Sequence, residues 1–309
     1  MQSKLRKELN AIKNIKKNPS HFYKYAKKFA KSKSRIGPLK HPCGGITSDP
    51  KSMANILQNQ FTSVFSDTNN PEKENPVFQS SSCSLDDILF NVSSIDNAID
   101  ELDINSAAID FPSILLKSCK HSLTYPIYCI WRESFNSGQI PLFYKSQVIT
   151  PIFKKGSKTQ PKNYRPIALT SNIIKIFERV IRAQLVDYLE QNNLISKNQH
   201  GFRKGRSCLS ELLAHYHDIV SGLANENADS DLIYLDFAKA FDKVDHDLLL
   251  KKLKLYGISG KLHSWICEFL RDRTQSVIVD GVTSYQSSVV SGVPQGTVLG
   301  PILFFTVCQ

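Results

Sequence analysis

The 309-residue sequence carries 39 Lys+Arg against 28 Asp+Glu, with 41% hydrophobic and 10% aromatic residues. That length gives room for two or three compact units, and the apolar content excludes wholesale disorder. With only 14 Gly and 14 Pro, collagen-like and low-complexity chains are excluded as well.

The charge is unevenly placed. Residues 1–40 hold thirteen Lys/Arg and one acid, Glu8, while 41–309 hold 26 basic and 27 acidic residues. The surplus is an N-terminal arm, which suits a polyanion such as nucleic acid or an acidic membrane face. On charge alone a solvated helix is an equal reading. The seven cysteines are odd in number and form no C-x-x-C pair. This argues against a disulfide framework or structural zinc and for a reducing interior. The opening MQSKLRKELN has no apolar core for a signal peptide. No charge follows Asp280, but the purely apolar end, 298–308, falls far short of the ~20 residues of a membrane span.

In chain order, Leu5, Leu9, Ile12 and Ile15 form a helical stripe among lysines, broken at Asn18-Pro19. Ser20 caps a second short helix carrying Phe22, Tyr23, Ala26 and Phe29. Gly37-Pro38 and Gly44-Gly45 punctuate a hairpin. A helix follows from Pro50 with Met53, Ile56, Leu57, Phe61 and Phe65. The Ser/Asn/Pro-rich stretch 67–84 reads as a linker. The chain thus divides into a basic helical connector over 1–66, that linker, an extension over 85–141 and a denser region over 142–309.

Ile95, Ile99 and Leu102 suit a short helix, and 113–135 reads as one or two largely buried helices. VITPIF (148–153) and RPIAL (165–169) read as paired strands around a turn at Gly156-Ser157 and Asn163. Helical periods run over 173–189, 209–223, 248–256 and 262–270. The apolar run 232–235 has the character of a buried strand ending at Asp236. Val277 and Val279, then Asp280-Gly281, then Val282 and Tyr285 make a hairpin. The class is α+β, without regular βαβ alternation.

Four features carry chemistry. Asp236 ends a strand-like run above a small-residue turn, the way metal-dependent phosphoryl-transfer sites hold a divalent ion; a turn or helix-cap role is the alternative. Asp242, Asp245 and Asp247 read as helix N-terminal acids. In 291–297, two glycines and a proline fix an unusual backbone that offers the Gln295 amide to a base pair or sugar; a plain loop is the alternative. Lys154, Lys155 and Arg165 gather cations on the paired strands, suited to a triphosphate or to a solvated hairpin tip. Finally, 199–207 is a basic glycine-containing loop opening a helix. It is not a Walker A loop, but its cations suit a phosphate backbone.

PIFKKG, NYRPIALTS, KIFERVI, QHGFRKGRSC, YLDFAKAFDKVDH, GIxG, FLRDRTQSV and SGVPQGTVLGPILF follow one another from 151 to 304. In motif, order and spacing the chain resembles the reverse transcriptases of non-LTR retrotransposons, of the jockey-like LINE kind. The resemblance is specific over 142–309. It is looser over 20–141, where FYKYAKK, IGPL and VFS resemble the region between that family's endonuclease and polymerase.

The resemblance implies a right-hand polymerase fold, with fingers and the first half of a palm over 142–309. It implies addition of deoxynucleotides to a DNA primer on an RNA template by two-metal phosphoryl transfer, with Mg²⁺ or Mn²⁺ as cofactor. Asp236 then matches the first metal-binding carboxylate and Phe237 the residue whose backbone carbonyl helps hold metal. Phe241 matches the bulky residue beneath the incoming sugar, and Gln295 and Gly296 the loop against the nascent pair. Lys154, Lys155 and Arg165 fall in the strands that meet triphosphate and template. Arg203, Lys204 and Arg206, with Lys13, Lys16, Lys17, Lys27 and Lys28 of the arm, are the expected nucleic-acid contacts. Deoxynucleotide triphosphates and primer–template are the implied partners, inside the cell. Neither a membrane nor an obligate protein partner is expected.

Two departures stand out. Where the family carries Gly-Pro-Asp-Gly, residues 107–112 read Ala-Ala-Ile-Asp-Phe-Pro. The family's second pair of catalytic aspartates falls beyond residue 309, so these 309 residues are expected to be inactive alone. The competing expectation is a non-catalytic nucleic-acid-binding remnant of a mobile element.

Overall fold

The computed structural model describes residues 36–66, 83–223 and 231–308. The two amphipathic helices expected over 3–29, every lysine of the arm but Lys40, and most of the expected linker lie outside these residues. Residues 38–309 form one compact unit.

The unit opens with strands β1 (Leu39–Lys40) and β2 (Ile46–Thr47), paired antiparallel around Gly44 and Gly45. Helix α1 (Pro50–Thr62) starts where Asp49 accepts from the Ser52 N–H at 2.8 Å and Pro50 presets the first turn. It buries Met53, Ile56, Leu57 and Phe61. Helix α2 (Val92–Asp100) is closed by a capping box between Asn91 and Ser94. Helices α3 (Ser113–Ser118) and α4 (Lys120–Ser137) follow, then the short α5 (Leu142–Lys145). Leu116, Ile127, Trp131 and Phe135 are buried there, but Ile114, Leu115, Tyr125 and Ile130 are exposed. The helices expected over 113–135 are thus two, and each buries one face rather than most of its surface.

Strand β3 (Ser146–Phe153) pairs antiparallel with β4 (Tyr164–Leu169), as the sequence predicts, with Ile152 opposite Arg165. Helix α6 (Asn172–Gln191) is the longest and most buried. Its start is capped twice. Ser171 accepts from the Ile173 N–H, and Asp110 accepts from the Asn172 N–H at 2.8 Å and from the Ser171 hydroxyl. The stretch without glycines therefore uses its aspartate to cap a helix. Helix α7 (Cys208–Leu223) precedes α8 (His246–Leu255) and α9 (Gly260–Leu270).

Strand β5 (Thr274–Val279) runs parallel to β3. On its other edge it pairs with β6 (Val282–Thr283) and β7 (Ser287–Ser288). The β5–β6 turn is the expected Asp280-Gly281, both at positive φ. Helix α10 (Gly300–Cys308) closes the unit. The result is a mixed sheet with helices packed around it. Among the described residues no helix is long and apolar enough to cross a membrane.

Aromatic packing holds α4, α6 and α9 together. Trp131 stacks on Phe177 with ring centroids 5.1 Å apart, and Trp265 meets both edge-on. Such pairs contribute ~0.5–1.5 kcal/mol beyond their burial.

One expectation fails. Residues 232–235 are not a buried strand: they have no regular secondary structure, and Leu235 is 92% exposed. A strand needs a ladder partner for its backbone groups, and among the described residues none pairs with this run. Helix α7 has the expected period, yet Leu209, Leu212, Leu213, Tyr216 and Val220 are all exposed. The His215 ring meets the Tyr234 hydroxyl at 3.0 Å, joining these two uncovered segments.

Candidate active site

The loop 291–296 is fixed by its neighbours rather than by regular structure. Gly292 has φ +89°, and a Cβ there would lie 2.8 Å from the carbonyl oxygens of Phe241 and Asp242. Only glycine lets the loop approach the 3-10 turn Ala240–Lys243 so closely. Two main-chain bonds exploit that approach. The Val293 N–H donates to the Phe241 carbonyl at 2.8 Å, and the Gly292 N–H to the Val244 carbonyl at 2.7 Å. The Ser291 hydroxyl donates to the Asp242 carbonyl, and His246 reaches the Gly292 carbonyl. On the opposite side the Ala168 N–H of β4 donates to the Gln295 carbonyl at 2.7 Å.

Side chains reinforce the junction. The Gln295 amide donates to the Asp242 carboxylate at 2.9 Å. Burial pushes the Asp242 carboxyl above its usual range, opposed by that hydrogen bond and by Lys239. A cavity of about 30 Å³ lies here, lined among others by Asp242, Gln295, Ser291, Ala168, Gln147 and Gln275. Further along, Glu178 of α6 is fully buried and accepts from the Val298 and Leu299 N–H groups at 2.7 and 2.9 Å. It thus caps the start of α10 from another helix. Burial drives its carboxyl upward and holds Arg273, also buried, down to about 10; each charge moderates the other.

Phe241 is half-buried, its ring stacked on Phe304 at 4.4 Å. Asp236 and Phe237 are exposed at the end of that irregular run. Lys154, Lys155 and Arg165 are exposed together at one end of the β3–β4 hairpin. Gly156, at φ +88°, turns that hairpin, and Asn163 closes it with a bond to the Ser157 carbonyl.

In the basic loop, Arg203 makes a two-pronged pair with Glu190 and donates to the Ser196 carbonyl. Its guanidinium thus ties the loop to α6. Lys204 is exposed, and Arg206 lies 3.5 Å from the His200 ring. Lys13, Lys16, Lys17, Lys27 and Lys28 lie outside the described residues.

Sequence reasoning missed Glu178 and gave Asp242 only a helix-dipole role. A signal existed for Glu178: it interrupts the apolar face of α6 between Ile174, Phe177 and Ile181, and a buried charge demands partners. Asp245 does act as the expected helix cap, accepting from the Asp247 and Leu248 N–H groups.

The Asp236 carboxylate and the Phe237 carbonyl are hard oxygen donors of the kind Mg²⁺ takes. No group of three or more His, Cys, Asp or Glu gathers around a common point among the described residues. Among those residues Asp236 therefore belongs to no such group.

Residues 152–309 match the family model described as "Reverse transcriptase (RNA-dependent DNA polymerase)". The chain belongs to the reverse transcriptase family. Its relatives include the probable RNA-directed DNA polymerase from transposon BS of Drosophila melanogaster, 27% identical over 91% of this chain and 32% of that protein. The RNA-directed DNA polymerase from mobile element jockey of the same fly is 35% identical over 57% of this chain and 19% of its own length. The probable polymerase from transposon X-element, also of that fly, is 32% identical over 53% and 18%. This reverse transcriptase sequence thus spans about a fifth to a third of each of these transposon relatives. The kinship to jockey-like elements expected from the motifs holds.

Proposed function

We propose that this chain supplies the fingers and the first part of the palm of an RNA-directed DNA polymerase. It is the portion that meets the RNA template, the DNA primer and the incoming deoxynucleotide. The observation that carries the reading is the junction of 291–296 with both β4 and the 240–243 turn. Three separately recognisable motifs meet around one small cavity, as a nucleotide site requires of its positioning parts.

In this reading Gln295 and Gly296 face the nascent base pair. Phe241, held from behind by Phe304, bounds the sugar. Lys154, Lys155 and Arg165 neutralise triphosphate and template charge. Asp236 and the Phe237 carbonyl contribute oxygen donors to a divalent ion, Mg²⁺ or Mn²⁺. The incomplete donor set means that residues 1–309 alone bind primer–template without extending the primer. The same incompleteness favours, as second reading, a nucleic-acid-binding role without catalysis.

Two assays on the 309-residue chain test this. Primer–template affinity should fall with log salt at roughly 0.7–0.9 per phosphate neutralised, and a template-matched deoxynucleotide should strengthen it. Affinity indifferent to the matched nucleotide supports the second reading. Primer extension abolished by Asp236→Ala would show that the donor set is complete after all.

A further inference from the structure

Building on the polymerase reading, we propose that Asp242 is a positioning residue for Gln295: its carboxylate selects which end of the Gln295 amide faces the incoming nucleotide. A side-chain amide has a donor end and an acceptor end, and an isolated glutamine can flip between them. An ionised carboxylate only accepts. With Asp242 2.9 Å from Nε2, one of the two amide N–H groups is taken and the nitrogen end of the amide is held toward the carboxylate, which puts Oε1 at the opposite end. On the proposal, that acceptor end is the one the loop offers the nucleotide.

The surroundings make the choice a firm one. The Asp242 backbone cannot shift, because its carbonyl takes the Ser291 hydroxyl and its N–H donates to the Lys239 carbonyl. Gln295 cannot shift either, because its carbonyl holds the Ala168 N–H at 2.7 Å. Both side chains line the same cavity. Partial burial of a carboxylate carries a desolvation cost that an asparagine of equal size would avoid, and the charge gives Gln295 a partner that can only accept.

Asp242→Asn separates the two roles. Asparagine can donate to Oε1 or accept from Nε2, so the amide loses its fixed sense while the space stays filled. Thermal unfolding of Asp242→Asn should match or exceed the wild type, because a partly desolvated charge is gone. Affinity should be measured with a dideoxy-terminated DNA primer on an RNA template, with Mg²⁺ and the matched deoxynucleotide. The matched-nucleotide enhancement should fall by about 10- to 100-fold, the range for losing a charge-assisted hydrogen bond. Gln295→Ala should lose a similar amount, and the double substitution no more than either alone. The exchanged pair, Asp242→Asn with Gln295→Glu, restores a fixed donor–acceptor sense and should recover part of the loss.

An enhancement unchanged in Asp242→Asn overturns the proposal, as does a loss that adds to that of Gln295→Ala. Loss of stability in parallel with affinity also overturns it, because Asp242 would then be only a structural group. A wild type with no nucleotide dependence at all would instead remove the polymerase reading on which this rests.

Discussion

The main chain of Ala168 on strand β4 is bonded to the main chain of Gln295 in the 291–296 loop, N–H to carbonyl, at 2.7 Å. A Cβ on the next residue, Gly296, at φ +113°, would lie 2.7 Å from the Ala168 carbonyl oxygen. The strand and the loop are therefore in backbone contact, with no side chain between them. Gly296→Ala should strain this contact and lower stability by ~1–3 kcal/mol. A urea midpoint equal to the wild type would show that the loop can move off β4.

Glu178 should be among the most sensitive positions. Glu178→Ala removes the cap of the Val298 and Leu299 N–H groups and leaves Arg273 buried beside no carboxylate. The expected cost is ~1–3 kcal/mol. Chemical denaturation reads it, and a change under ~1 kcal/mol would contradict the capping role.

Much of the frame was legible in the sequence because it is set locally. The β3–β4 hairpin is written in two apolar runs around Gly156 and Asn163, and α6 in a strong helical period. The Asp280-Gly281 turn carries its own backbone preference. What was not legible depends on distant partners. Asp242 finds Gln295 53 residues away, and Glu178 caps a helix 120 residues away. Residues 232–235 have strand composition, but composition does not supply the neighbouring strand. The pairing of Arg203 with Glu190 of α6 was not legible either, because its loop reads only as basic.

That pair gives a further test. Arg203→Ala should cost ~1–3 kcal/mol, as for charge-assisted hydrogen bonds, while the exposed Lys204→Ala should stay within ~0.5 kcal/mol. In nucleic-acid binding the order reverses: Lys204→Ala should shift the salt slope and Arg203→Ala should not. Equal stabilities for the two variants would contradict the structural role of Arg203.

Acidification should act through His246. Burial holds its imidazole below the usual range, partly offset by the bond to the Gly292 carbonyl. The unfolded chain then takes up the proton before the folded one. The stability His246 contributes is complete above about pH 6.5 and is lost as the pH falls through the folded-state value. His263 is shifted the same way. Glu178 and Asp242, pushed upward by burial, act with opposite sign and gain stability as the pH drops. His246→Gln, which keeps a donor for Gly292, should flatten the dependence of the urea midpoint between about pH 5 and pH 7. An unaltered slope would place the acid sensitivity elsewhere.

Photo-cross-linking gives the most direct test of a single nucleotide site built from the 236–242 and 291–296 segments. The 309-residue chain is mixed with a dideoxy-terminated DNA primer on an RNA template and a photoreactive deoxynucleotide triphosphate, and the labelled peptides are mapped by mass spectrometry. With a template-matched nucleotide the label should fall within 236–242 and 291–296, and a mismatched nucleotide should label these segments far less. Label confined to the basic residues 1–40, or equal for matched and mismatched nucleotides, would contradict the site.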